Sequence, residues 1–110
     1  MYLPNRRAAN VSKEKVESYL LSLSHPMGKH KAVFFTNIGF EATKSEMLIR
    51  VLKKLAKETV VTKTVSNAFG TKYVLDGYIY APNQHKYLLR TVWMIENQLE
   101  NAYLITAYPL

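Results

Sequence analysis

The sequence predicts an α+β fold: three N-terminal helices followed by a four-stranded antiparallel β-sheet meander. Three observations lead there. Apolar residues recur at helical spacing in the first half, as in Val16, Tyr19, Leu20 and Leu23. From Thr59 the pattern changes to Thr59-Val60-Val61-Thr62-Lys63-Thr64-Val65, β-branched almost throughout, which suits a strand. The segments after it are joined by short loops, which favour antiparallel neighbours. Such a layout places helices on one face of the sheet.

Taken in order, residues 3–11 read as an extended arm, because Pro4 removes a backbone donor and disfavours helix before it. Ser12 can cap a helix over 12–22, which ends near Ser24-His25-Pro26. Gly28 opens a second helix that offers Ala32, Val33, Phe34 and Phe35 to the core, with Gly39 as a left-handed C-terminal cap. Thr43-Lys44-Ser45-Glu46 fits the capping box of a third helix reaching about Lys57. Its buried stripe is Met47, Leu48, Val51, Leu52 and Leu55; Lys44, Arg50, Lys53, Lys54 and Lys57 populate the rest, ordinarily a solvated face. Strands are expected over 59–65, 71–80, 86–95 and 102–108. In the third strand Tyr87, Leu89, Thr91, Trp93 and Ile95 form the core face, so Arg90 points the other way. If the preceding loop centres on Asn83, Arg90 lies opposite Asp76 and pairs with it. The turn before the fourth strand decides whether Thr106 shares a face with Arg90 or with Thr91.

The length, 110 residues, predicts one domain, with a helical half over about 12–57 and a sheet half over about 59–108. No apolar run approaches the roughly 18 residues of a membrane span, and residues 1–7 lack the apolar centre of a signal peptide, so a cytoplasmic protein is expected. There is no cysteine, hence no disulfide and no thiolate metal site. The net charge is +7, and its surplus lies wholly before Thr64. That asymmetry points to an acidic partner, nucleic acid or protein.

The chemistry-bearing stretch is His25-Pro26-Met27-Gly28-Lys29-His30-Lys31-Ala32, with two of the three histidines beside a Pro/Gly break. Metal-dependent hydrolysis normally needs several convergent carboxylates or histidines. Here the chain has a single Asp, Glu residues mostly at helical or turn positions, and no His-Glu-x-x-His spacing. There is no glycine-rich phosphate loop and no nucleophile elbow. Neither metal nor cofactor is expected. What the residue types permit is acid–base chemistry on a phosphodiester. RNA cleavage by its own 2′-hydroxyl needs a base, an acid and cations, and no protein nucleophile. A binding module would use the same basic and aromatic residues, with Tyr73, Tyr78, Tyr80, Trp93 or Tyr108 stacking on bases, although core packing is the ordinary role of each. The histidines have ordinary roles too: His25 capping carbonyls at a helix end, His30 simply buried or exposed, and His85 facing solvent in a hairpin loop.

Leu3-Pro4-Asn5, the His25-to-Ala32 stretch, Phe35, Gly39-Phe40, Gly70-Thr71-Lys72-Tyr73, Asp76-Gly77, Arg90-Thr91-Val92-Trp93 and Thr106-Ala107-Tyr108-Pro109 occur in the order of a bacterial domain family of unknown function. The chain resembles that family from Leu3 to Pro109. Similar domains occur as small stand-alone proteins and as C-terminal domains of polymorphic toxins. The toxin-borne relatives look like the barnase–EndoU–colicin–RelE-like group of metal-independent ribonucleases. Met27 stands where the family more often has a small β-branched residue, and Ala81-Pro82-Asn83-Gln84 lacks the glycines common in that turn.

The resemblance implies a small, metal-independent endoribonuclease of toxin type. Carried over by motif, its site residues are His25, His30, Lys31, Lys72, Arg90 and Thr106. His30 or His25 would act as general base or acid. Lys31, Lys72 and Arg90 would hold the scissile phosphate, and Thr106 or Tyr108 would orient it. The implied partners are an RNA substrate and an acidic antitoxin or immunity protein; no membrane is implied. The alternative is a non-catalytic basic module that binds nucleic acid or an acidic protein. A structural or regulatory subunit without a nucleic-acid role is the third reading. Convergence of the basic and histidine side chains on one concave surface favours catalysis; scatter favours the other two.

Overall fold

In the computed structural model, which describes residues 1–110, the sheet consists of β1 (Lys63–Ser66), β2 (Gly70–Tyr80), β3 (Lys86–Glu96) and β4 (Tyr103–Pro109). They lie in the order β1-β2-β3-β4, each pair antiparallel, so the expected meander is present. One sheet face carries the core. Leu75 and Ile79 of β2, Leu89 and Trp93 of β3, and Leu104 and Ala107 of β4 are buried there. Thr91 is fully buried among them, and its hydroxyl is used twice. It donates to the Leu75 carbonyl at 2.9 Å and accepts from Trp93 Nε1 at 2.8 Å. A buried hydroxyl is tolerated when both its valences are met in this way.

The helical part corrects the expectation of three helices standing as a block before the sheet. The α-helical segments are α1 (Lys13–Lys15), α2 (Lys29–Asn37) and α3 (Ser45–Glu58), and other turns interleave with them. Short 3-10 turns occupy Arg6–Ala8 and Ala42–Lys44, and a π-helical turn, Val16–Leu20, follows α1. The helix expected over 12–22 is therefore one α-turn, capped by the Ser12 side chain accepting from Lys15 N, that widens at once. The Leu21 amide reaches back to the Val16 carbonyl at 2.8 Å, closing the wide turn. The sequence asks this segment to bury Val16, Leu20 and Leu21 while sending Tyr19 round to β4, and regular helical spacing cannot do both. Leu23, expected on the apolar face, lies past the turn and is exposed.

The second helix ends as expected. Gly39 has φ +109°, the Phe40 amide donates to the Phe35 carbonyl, and the Gly39 amide donates to that of Thr36. These are the two bonds of a Schellman cap, and the Phe35 and Phe40 rings meet edge to face beside it. The capping box expected at 43–46 does not form. A 3-10 turn precedes α3, and the Ser45 hydroxyl donates instead to Glu17 Oε2 at 2.7 Å, tying α3 to the π turn. The α3 stripe Leu48, Leu52 and Leu55 is fully buried, worth roughly 2 kcal/mol for each side chain; Met47, expected in the stripe, is partly exposed.

The strand expected over 59–65 begins only at Lys63. The preceding residues spend their backbone groups on the N-terminal arm: Val60 bridges Tyr2, and the Val61 amide donates to the Met1 carbonyl. The same arm reaches the last strand. Asn10 bridges Tyr103 in parallel, donating to the Ala102 carbonyl and accepting from the Leu104 amide. Leu3, Ala9 and Val11 anchor it in the core.

Candidate functional site

Strand alternation fixes which polar groups share the sheet face away from the core. Arg90 pairs across with Asp76 on one side and Tyr108 on the other. Val92 pairs with Thr106, so Thr106 shares the face of Arg90, and a bulge follows between Val92 and Trp93. Arg90 Nε and Nη2 donate to the two Asp76 carboxylate oxygens, each at 2.9 Å. These hydrogen bonds and the carboxylate charge hold the Arg90 guanidinium well above the usual arginine range, with Tyr108 adding to them. Nη1 is the part of the fork that Asp76 leaves free.

At the β4 edge of this face the His25-to-Ala32 stretch meets the π turn. The Tyr19 hydroxyl shares a hydrogen bond with Thr106 Oγ1 at 3.1 Å. Lys31, in the first turn of α2, places Nζ 5.4 Å from the Tyr19 ring centre and 5.9 Å from that of Tyr108. Lys15 Nζ lies 4.9 Å from the Tyr19 ring, and the His25 ring meets it edge-on at 5.1 Å. Both lysines are within cation–π range. Burial pushes the Tyr19 phenol up, but the Thr106 hydrogen bond, the Lys31 contact and the charges of Lys31 and Lys15 outweigh it and lower its pKa. Gly28 makes this junction possible. A Cβ there would stand 2.3 Å from the Tyr19 carbonyl oxygen and 2.9 Å from its ring.

His25 does not cap carbonyls. Its Nδ1 accepts from the backbone amides of Met27 and Gly28, both at 3.0 Å. Nδ1 is thus the acceptor nitrogen of the ring, which leaves Nε2 as its donor. With Ser12, Glu14, Lys15, Ser18 and Tyr19, His25 lines a cavity of about 390 Å³. No three His, Asp or Glu side chains gather in a way that could hold a metal ion.

The six residues carried over by motif therefore separate. Lys31, Thr106 and Arg90 come together on the open face, with His25 joined to them through Tyr19. His30 is exposed, and its side chain makes no hydrogen bond with the rest of the chain. Lys72 is on the open face, opposite Val65 and Met94, but four residues along β2 from Asp76, about 13 Å at the rise of a strand. Sequence reasoning missed Tyr19, which had been placed on a buried apolar stripe. The signal was available in Lys15 and Tyr19, four apart and so neighbours on one helical face. Nothing local announces its partnership with Thr106, 87 residues away.

Comparison with known proteins places the chain in a family. A family model described as Domain of unknown function (DUF6883) matches residues 2–110, and the chain belongs to that family. No curated protein matches it. Among solved structures, it is similar to a chain of a contact-dependent growth inhibition toxin–immunity protein complex from Klebsiella pneumoniae 342. The TM-score is 0.71 at 13% identity, covering 90% of this chain and 91% of that one. The fold is thus one found in a toxin–immunity complex. No helix is long and apolar enough to cross a membrane.

Proposed function

We propose that the protein is a toxin-like module that cleaves RNA by 2′-hydroxyl attack, without a metal ion. The observation that carries this reading is the Tyr19 phenol. It has a lowered pKa, is hydrogen-bonded to Thr106 and is flanked by Lys31 and Lys15, and Lys31 also reaches Tyr108, the cross-strand partner of Arg90. A phosphodiester seated there meets Lys31 Nζ and Arg90 Nη1, the nitrogen that Asp76 does not use, and both stabilise the extra negative charge of a phosphorane-like transition state. His30, on the exposed rim of α2, takes the 2′-hydroxyl proton. The 2′ oxygen bonds to phosphorus, the P–O5′ bond breaks, and Tyr19 protonates the leaving 5′ oxygen. The products are a 2′,3′-cyclic phosphate and a 5′-hydroxyl. Thr106 and Tyr108 orient the phosphate, and His25 holds the Tyr19 ring from its edge. Lys72 contacts the strand away from the scissile bond. A basic site of this kind is one that an acidic immunity protein would cover, and the likeness to a chain from a toxin–immunity complex supports such a partner.

The test is incubation with total RNA, with and without EDTA, resolved on a denaturing gel. Cleavage that EDTA leaves intact is expected. Tyr19→Phe and Lys31→Gln should each lower the rate about 100-fold, the low end for loss of an acid or a charge-stabilising group. Uncut RNA at high protein concentration would overturn the enzymatic reading, and EDTA-sensitive cleavage the mechanism.

A second reading rests on Arg90. Two of its three nitrogens are committed to Asp76, as in a structural cross-strand pair. If that is its whole role, the open face binds RNA or an acidic protein without turnover, and affinity falls steeply with salt.

A further inference from the structure

α3 and the N-terminal arm face each other across a groove whose lining shares no residue with the Tyr19 cluster. Arg50, Lys53, Lys54 and Lys57 stand at successive turns on one face of α3. Arg6 and Arg7, in the first 3-10 turn, form the opposite wall, and the open groove between them has a volume of about 340 Å³. None of these six cations is in an ion pair; the ion pairs of the chain are Lys13–Glu17, Lys44–Glu41 and Arg90–Asp76. Arg6 Nε is buried and has no hydrogen-bond partner. A buried donor left without a partner is unfavourable. The groove continues past Arg6 and Arg7 into a second concavity of about 380 Å³, where Tyr2 is half exposed beneath the Arg6 guanidinium, 4.2 Å from its ring centre.

We propose that this groove is a binding site for the phosphodiester backbone of single-stranded RNA, separate from the site of cleavage. The lining decides between a nucleic acid and a protein. A stable protein interface is built round an apolar, aromatic-rich centre depleted of charge. Here Ala9 is the one apolar residue of the cation-lined cavity, and Glu58 the one carboxylate. Cations on two walls with an exposed aromatic at one end match the way single strands are held, by charge along the backbone and by stacking. α3 offers its four cations over the eight residues Arg50–Lys57, about 10 Å of helix, a span that reaches at least two successive phosphates. The choice of RNA rests on the function proposed above; the site itself rests on the charge arrangement and needs no catalysis.

The experiment uses the full chain and a fluorescently labelled 2′-O-methyl oligonucleotide of roughly 12 nucleotides, within the site size of such grooves. Lacking the 2′-hydroxyl, the probe cannot be cut, so a result here is independent of whether the protein is a nuclease. Binding is measured by anisotropy over a salt series. The triple variant R50Q/K53Q/K57Q changes only exposed side chains of α3. It should bind about tenfold more weakly, with the slope of log K against log salt shallower by about 2, given about 0.7 per phosphate lost. R6Q should weaken binding in the same direction. Thermal melts of the variants that match the parent confirm an intact fold; a variant that melts early is replaced by single K53Q and K57Q, each expected to reduce the slope by about 0.7. Unchanged affinity and slope in the folded variants would overturn the proposal. Competition by poly-glutamate of equal charge as strong as that by unlabelled oligonucleotide would overturn the assignment to nucleic acid.

Discussion

At the scale of single residues, two hydroxyl groups carry the most information. Tyr19 is held by Thr106 and flanked by lysines, so its phenol ionises more readily than a free one, whose value is 10.0. Titration followed by phenolate absorbance should show one tyrosine ionising below that value. The early step should vanish in Tyr19→Phe and move up in Lys31→Gln. The sign for stability follows from the direction. A group whose acidic pKa is depressed by folding contributes its full stability above its unfolded value and loses it as pH falls through the folded one. The Tyr19 shift therefore contributes fully above pH 10.0 and less as pH falls, so the stability gap between the parent and Tyr19→Phe should widen on the alkaline side. Thr91 is the opposite case, structural at every pH. Thr91→Val leaves Trp93 Nε1 and the Leu75 carbonyl without their shared partner. It should cost about 1–3 kcal/mol in a urea melt. The core face of β3 that contains Thr91 was legible from alternation alone, as was the Arg90–Asp76 pair, because strand period and a short loop leave few registers. Tyr19 was not legible, since its partner is fixed by tertiary packing and no spacing encodes it.

At the scale of elements, the sheet was easier to read than the helices. β2, β3 and β4 start and stop within about one residue of the positions expected from their patterns. Each is long, half-buried and bounded by turn residues, and such segments obey their own periodicity. The segment around Tyr19 does not, since it serves two surfaces and widens into a π turn; π turns of this kind are frequent at functional sites. The capping box at 43–46 failed for a similar reason, because Ser45 found Glu17, a partner remote in sequence. Gly28 shows how tightly the helical elements meet. Gly28→Ala drives a Cβ into the Tyr19 backbone, which cannot yield as a flexible side chain would. The expected cost is about 1–3 kcal/mol, read from a urea melt. The early tyrosine titration step should also be lost as the His25-to-Ala32 stretch lifts away.

At the scale of the whole molecule, the charge asymmetry is visible in the composition, but its arrangement is not. The basic surplus of the first half splits between two clusters, Lys15 and Lys31 around Tyr19, and the α3 and arm cations around a groove of their own. Only the fold brings Arg6 and Arg7 opposite Lys53 and Lys57. The arm that carries those arginines has a further effect. Its backbone bonds join Met1 to Val61 and Asn10 to Ala102 and Leu104, and the Asn5 side chain donates to the Glu100 carbonyl across 95 residues. Closing so long a loop costs more entropy than pairing adjacent strands. The sheet and α3 can assemble from local hairpins first, and the arm docks onto a folded scaffold as the last step. The same bonds should open first in the native state. Amide hydrogen exchange should find Asn10, Val61 and Leu104 exchanging faster than Leu75, Thr91 and Trp93. Equal protection across both sets would mean that the two ends of the chain fold as one cooperative unit with the sheet.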